Sequence, residues 1–150
     1  MSKSLNCNYV HLVFSTKHRM NLITQEIEIP LYKYITGICT NFNCPVIQIN
    51  GVADHIHILF MLSKNVALAK IVEEIKKNSS KWIKQEFSRY NNFYWQTGYG
   101  AFSVSQKHVS IVTNYIRCQK KHHQQTSYKE EFIKFLDSYN VEYDERYIWD

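Results

Sequence analysis

Two histidines separated by a single isoleucine, His55 and His57 in "GVADHIHILF", are the residues of this chain best suited to chemistry. The run around them is apolar and predicts a strand, on which alternate side chains share a face. His55 and His57 would then point one way, and Ile56, Ile58 and Phe60 the other. Two neutral imidazoles converging in this way are a natural pair of metal ligands. Alone, the triplet weighs little, because histidines also decorate the wetter face of a sheet. A divalent ion needs a further ligand from another element.

The segment "QKHVSIVTNYIRCQKKHH" (106–123) offers one. At helical spacing Val109, Val112 and Ile116 form a core stripe, with His108, Tyr115 and Gln119 on an adjacent stripe. Tyr115 and Gln119 are four residues apart, so only roughly 40° separates them around the axis. A helix lying on the sheet would bring a phenol and an amide oxygen over the histidines. An interfacial tyrosine and a surface glutamine fit the same spacing. His122 and His123 extend that side of the helix, where either would serve as an alternative ligand, a proton carrier or a phosphate contact, or else hold a plain surface position. Asp54 falls on the strand face opposite the histidines and is expected to hold the hairpin turn, not a metal.

The elements that would position these residues follow from periodicity. "NYVHLVFST" (8–16) reads as a strand and "PLYKYITGICTNFN" (30–43) as a helix with Pro30 in its first turn. "CPVIQIN" and "DHIHILFML" form a hairpin around Asn50-Gly51. A long amphipathic helix covers about 66–87, with Leu68, Ile71, Val72, Ile75, Ser79 and Trp82 inward and Lys70, Lys77, Lys81 and Lys84 outward. "FYWQTGYGAFSVS" (93–105) reads as a strand bulged at Gly98 or Gly100, after which Ser105 caps the helix 106–123. A short helix, "YKEEFIKFLDSY", is appended. This order predicts an α+β fold, a ferredoxin-like split βαβ sandwich. Its sheet is antiparallel with helices mainly on one face, and the chain 1–150 makes one domain.

With 45% hydrophobic residues the chain can bury one core without disulfides, and Cys7, Cys39, Cys44 and Cys118 show no zinc-finger spacing. A net charge of +5 and 11 tyrosines suit phosphate backbones and stacked bases. With no apolar signal core and no run long enough to span a bilayer, a cytoplasmic protein is expected.

Three segments in this order, "DHIHILF", "YWQTGYGAFSVS" and "VTNYIRCQKKHH", resemble the single-tyrosine HUH transposases of the insertion sequence 200-like group, which includes relatives that process repeated palindromic elements. The resemblance begins at "YVHLVFSTKHR" and covers most of the chain. It implies His55, His57 and Gln119 as ligands of Mg2+ or Mn2+ and Tyr115 as the nucleophile. It further implies cleavage and rejoining of single-stranded DNA with hairpin ends through a 5′-phosphotyrosine. Homodimers in which the tyrosine helix of one subunit completes the site of the other are implied too, with the helix exchanging at Gly98, Gly100 or Ser105. Lys17, His18 and Arg19 are expected to touch DNA, and the outward Lys77, Lys81 and Lys84 either follow its backbone or form a solvated face.

Two other readings compete. Ferredoxin-like sheets stack RNA bases in non-catalytic modules, but Thr97 and Ala101 stand where that sheet signature wants a basic and an aromatic residue. A zinc hydrolase would use the histidines with a water nucleophile and leave Tyr115 idle. A domesticated repeat-processing nuclease and a mobile-element enzyme differ by genomic neighbourhood, which one chain does not reveal.

Overall fold

The computed structural model describes residues 3–150. Four strands, β1 (Tyr9–Ser15), β2 (Val46–Val52), β3 (His55–Met61) and β4 (Gly100–Val104), form an antiparallel sheet in the order β2-β3-β1-β4. Helix α1 (Gln25–Asn41) joins β1 to β2, and α2 (Leu68–Glu86) joins β3 to β4. This is the expected split βαβ sandwich. Three helices are appended: α3 (Val109–Arg117), α4 (Gln119–His122) and α5 (Tyr128–Ser138).

Antiparallel pairing gives the sheet two unlike faces. Val10, Leu12 and Phe14 of β1 pair with Phe60, Ile58 and Ile56 of β3, and all six pack with the apolar stripes of α1 and α2 in one core. On the other face Val13 and Phe102 pack on Tyr128, Phe132 and Leu136 of α5, while Leu59 and Val104 pack on Ile116 of α3. His11, His55 and His57 lie on this second face, which the appended helices close.

Several boundaries differ from the expectation. Helix α1 begins at Gln25, five residues before Pro30, because Ile27, Leu31, Ile35 and Ile38 make a longer buried stripe and Glu26 and Glu28 suit its positive end. Asn50 and Gly51 are strand residues, and the hairpin turns at Ala53-Asp54. The fourth strand is only Gly100–Val104; the segment before it makes a single bridge, Trp95 to Thr16, and the sheet's register shift lies at Val46/Gln48. Among the described residues no glycine has positive φ. Gly100 is needed for space, since a Cβ there would strike the Phe132 ring. Ser105 hydrogen-bonds the His108 ring (2.6 Å) and caps no backbone amide.

Gly51 faces a tighter constraint, because a Cβ would press on the backbone carbonyl oxygen of His55. Gly51→Ala is therefore expected to lower the melting temperature by on the order of 10 °C. Gly37→Ala, in α1 with nothing near the added carbon, should stabilise by about 0.5–1 kcal/mol. Thermal denaturation followed by circular dichroism checks both; equal melting temperatures for wild type and Gly51→Ala would refute the crowding argument.

Candidate metal and tyrosine site

The second face gathers five titratable side chains from four elements. His57 from β3 is fully buried, with its Nδ1 2.8 Å from Nε2 of His11 on β1 and its Nε2 2.9 Å from Oε1 of Glu131 on α5. His55 Nδ1 donates to Asp54 Oδ1 (2.6 Å), and His55 Nε2 lies 3.0 Å from His123 Nε2. His123 donates from its own Nδ1 to the Thr126 carbonyl (2.5 Å). One ligand atom from each of His55, His57, His123 and Glu131 lies within 4.8 Å of all the others.

Tyr115 closes the group from α3. Its hydroxyl donates to Glu131 Oε2 and lies 3.2 Å from His122 Nε2, which is itself 3.2 Å from Glu131 Oε2. Glu131 thus bridges the histidines through one carboxylate oxygen and the phenol through the other. Gln119 is fully buried next to Tyr115, with its Nε2 3.4 Å from the Tyr115 carbonyl; its Oε1 has no partner among the described residues.

Helix 106–123 is broken, and the break decides these positions. Asn50 of β2 donates from its side-chain amide to the carbonyls of Ile116 and Arg117 (3.0 Å each), capping α3 at its end. Lys120 reaches back to Asn50 Oδ1 (3.0 Å) and ion-pairs with Glu28. The chain kinks at Cys118 and restarts as α4, which turns Gln119 inward and carries His123 to His55. Asn50 is therefore a helix cap, not a turn former.

Helix α5 starts with a capping box in which the Ser127 hydroxyl accepts from the Glu130 amide and the Glu130 carboxylate accepts from the Ser127 amide. Glu131 follows, flanking the buried stripe Tyr128, Phe132 and Leu136. Neither Glu131 nor His11 stands out in the sequence as a candidate ligand. A glutamate at a core position of an amphipathic helix is the signal that marks the first. His11 shares the β1 periodicity with Val13 and Ser15, which face the histidines.

Asp54 keeps the turn, its carbonyl accepting from the Thr16 amide (2.9 Å), while its carboxylate also orients His55 from outside the cluster. Two surface clefts flank the group. One of ≈ 500 Å³ is lined by Asp54, Lys120, His123 and Tyr128, and one of ≈ 510 Å³ by Tyr115, Lys121 and His122. The connection from α4 to α5, with Gln124 and Thr126, lines both.

The expected DNA-contacting cations lie elsewhere. Lys17, His18 and Arg19 follow β1 at the end of the sheet where Ser15 pairs with His55. His18 and Arg19 adopt left-handed φ of 57° and 55°, and Arg19 donates to the Trp149 carbonyl (2.7 Å). Lys77, Lys81 and Lys84 lie on α2, across the sheet from the histidines, in a groove with Tyr94, Gln96 and Thr97. Lys77 pairs with Glu74, and Lys84 sits 3.6 Å above the Tyr94 ring.

A profile of the IS200-like transposases matches residues 4–119, more than three quarters of the chain. The chain belongs to the IS200-like transposase family. Members are DNA-binding, DNA-cleaving enzymes of transposition. Over 119 residues this transposase is 26% identical to the transposase for insertion sequence element IS200 of Salmonella typhimurium (strain LT2), covering 76% of this chain and 77% of that one. The counterpart from Salmonella typhi matches equally well. Among solved structures, a candidate transposase from Deinococcus radiodurans R1 superposes with TM-score 0.63 (20% identity; 79% of this chain, 98% of that one). A REP-associated tyrosine transposase bound to a REP hairpin gives 0.60 (16% identity; 84% and 76%). Both share the fold. Tyr115, His55, His57 and Gln119 fall inside the family-matched segment, whereas His122, His123 and Glu131 follow it.

Burial sets the electrostatics. It lowers His57 to about 4, against the opposing pull of Glu131, and lowers His11 to about 3 with help from His57. Burial alone would lower His55, but hydrogen bonds to Asp54 and Glu131 outweigh it and raise it above its ordinary value. Burial would raise Glu131, yet its hydrogen bonds from His123, His55 and His57 hold it far below the usual carboxylate range. Burial and the Glu131 charge push the Tyr115 phenol up.

These shifts fix a pH dependence. Between the ordinary value of 6.5 and about 4, the unfolded chain takes up protons that His11 and His57 refuse in the folded state, so their contribution to stability falls as pH falls. His55 works in the opposite sense, its contribution being complete below 6.5 and lost as pH rises through its raised value. His11→Phe is expected to flatten the loss of urea-unfolding free energy between about pH 6.5 and pH 4. Identical slopes in wild type and variant would show that His11 protonates as freely folded as unfolded.

Proposed function

We propose that this transposase cleaves and rejoins single-stranded DNA at element ends with Tyr115 as nucleophile, assisted by a divalent metal, Mg2+ or Mn2+, at His55 and His57. The observation that carries the reading is the convergence of a helix-borne phenol and an H-x-H pair on one buried carboxylate. The residues suit a cation: His55 Nδ1 and His123 Nδ1 are held by outer acceptors, which aims each Nε2 inward, and the buried Gln119 Oε1 lacks a protein partner. His55, His57 and, by family resemblance, Gln119 would hold the metal. When bound it supplies Lewis-acid polarisation of the scissile phosphate.

The chain's own residues do the rest. A free phenol near neutral pH is phenolate only to roughly 0.1%, and burial disfavours ionisation further. Glu131 Oε2 accepts the Tyr115 hydrogen bond and orients the hydroxyl, and His122 Nε2, 3.2 Å from it, is where the proton goes as the phenol oxygen attacks phosphorus. The Tyr115 oxygen-phosphorus bond forms, the bond to the 3′-oxygen breaks, and that oxygen takes up a proton, with His122 Nε2 beside both groups. The resulting 5′-phosphotyrosine conserves the phosphodiester for reversal by a 3′-hydroxyl without ATP.

Lys17, His18, Arg19, Lys77, Lys81 and Lys84 would contact the DNA flanking the cleaved bond, and hairpin ends are the substrate form suggested by the REP-hairpin-bound relative. The chain acts as one domain in the cytoplasm; none of its described helices is long and apolar enough to cross a membrane. Family resemblance implies homodimers with tyrosine helices exchanged, whereas here Tyr115 meets His57 and His122 of its own chain, and the steps above use this cis arrangement.

Incubated with labelled single-stranded DNA from its own flanking sequence and Mg2+ or Mn2+, the protein should form a denaturation-resistant adduct. Tyr115→Phe and His57→Ala should reduce it by at least about a thousandfold. Tight DNA binding without any adduct would favour the non-catalytic module. Mixing those two inactive variants tests assembly: no adduct is expected for a site closed in cis, while recovery would demonstrate exchange of α3 between subunits.

A further inference from the structure

The tyrosine helix is tied to the sheet at a single rung of the β2–β3 ladder. Asn50 of β2 pairs with His57 of β3, and directly opposed residues share a face of the sheet. At one end of this rung stands an imidazole of the histidine pair. At the other, the Asn50 side-chain amide donates to the carbonyls of Ile116 and Arg117, which follow Tyr115 directly in α3. They stand at the end of the helix, where carbonyls run out of amide partners. The remaining contact of α3 with the sheet is the packing of Ile116 on Leu59 and Val104. Apolar packing is non-directional and lets a helix slide. Two directed hydrogen bonds fix its register.

Lys120 decides which way that amide faces. Its ammonium donates to Asn50 Oδ1 (3.0 Å) and to the Gly51 carbonyl (3.3 Å), and it pairs with Glu28 of α1 around the edge of the sheet. An asparagine amide has one accepting and one donating end. With Oδ1 taken by Lys120, both Nδ2 protons are left for α3. Lys120 is exposed, so its ion pair adds little stability. What it contributes is direction.

Resting on the reading of Tyr115 as nucleophile, we propose that Asn50 and Lys120 are positioning residues for the attack, setting the reach from the phenol to the histidine pair. Neither hydrogen-bonds the Tyr115 hydroxyl, whose partners are Glu131 and His122. Both act through the backbone of α3. A phenol held only at its tip would follow any drift of α5, whereas the Asn50 cap makes the sheet the reference for the nucleophile. Attack requires the phenol oxygen in line with the scissile bond, and a misplacement of about 1 Å can cost on the order of a hundredfold in rate.

The test is the single-turnover rate of adduct formation on labelled single-stranded DNA, with DNA affinity and hydrogen exchange of the free protein measured beside it. Asn50→Asp is nearly isosteric and keeps the Lys120 contact, but it withdraws both donated bonds and sets a negative charge against the negative end of α3. Its maximal rate is expected to fall at least about tenfold, with DNA affinity within about twofold of wild type. Amides of residues 115–122 should exchange faster while those of β2 and β3 keep their protection. Lys120→Met, an exposed change that spares the fold, should lower the rate in the same sense, and Lys120→Arg, which can still donate to Asn50 and Glu28, should restore it. A wild-type rate in Asn50→Asp overturns the proposal. So does a rate loss matched by an equal loss of DNA affinity or by faster exchange throughout the sheet, which would mark a binding or a folding role. No adduct from the wild type would instead sink the nucleophile reading, and this proposal with it.

Discussion

One buried carboxylate organises the second half of this molecule. Glu131 is almost wholly shielded from water, and a charge in that position is tolerated only with close hydrogen-bonding partners. Its partners are His55, His57, His122, His123 and Tyr115, delivered by β3, α3, α4 and the residue that follows α4. Removing any of these elements would leave an uncompensated charge in an apolar layer. The appended helices are therefore bound to the sheet by polar chemistry as well as by the packing of Phe132, Leu136 and Ile116.

The sheet makes that concentration of polar groups sustainable by keeping its two faces separate. Ile56, Ile58 and Phe60 bury an apolar core against α1 and α2, and the intervening His55 and His57 are thereby forced to the opposite side. A one-residue slip of β3 would put both imidazoles in the apolar core. Gly51 and the two-residue turn at Ala53-Asp54 hold the register at the end of the strand nearest the histidines. Asp54 closes this arrangement by holding the turn with its backbone and His55 with its carboxylate.

Position on either side of the sheet also separates the exposed lysines from the buried histidines. The lysines of α2 line an open groove with Tyr94, suited to a phosphate backbone with a base against the ring. The histidines are enclosed beneath the α4 to α5 connection, where water is scarce and electrostatic interactions are strong. Lys76 ties the groove's loop in place by donating to the carbonyls of Gln96, Thr97 and Gly98 (2.9, 3.1 and 2.6 Å), and burial lowers it to about 8.

The sequence by itself determined the order of elements, the fold class, the two faces of β3 and the membership that "DHIHILF" and "VTNYIRCQKKHH" announce. All depend on local periodicity or contiguous motifs, which survive without knowledge of distant contacts. It misplaced the hairpin turn because Asn-Gly is a strong turn former, and nothing local reveals that Asn50 is needed to cap α3, 66 residues away. It read 106–123 as one helix because the break at Cys118 is imposed by that cap and by Lys120 reaching across to Glu28. Only the tertiary structure decided that Tyr115 meets Glu131, that His123 meets His55 and that His11 backs His57. Those pairings join residues 16, 68 and 46 positions apart, and such proximity follows from how packed elements satisfy buried polar groups, not from spacing along the chain.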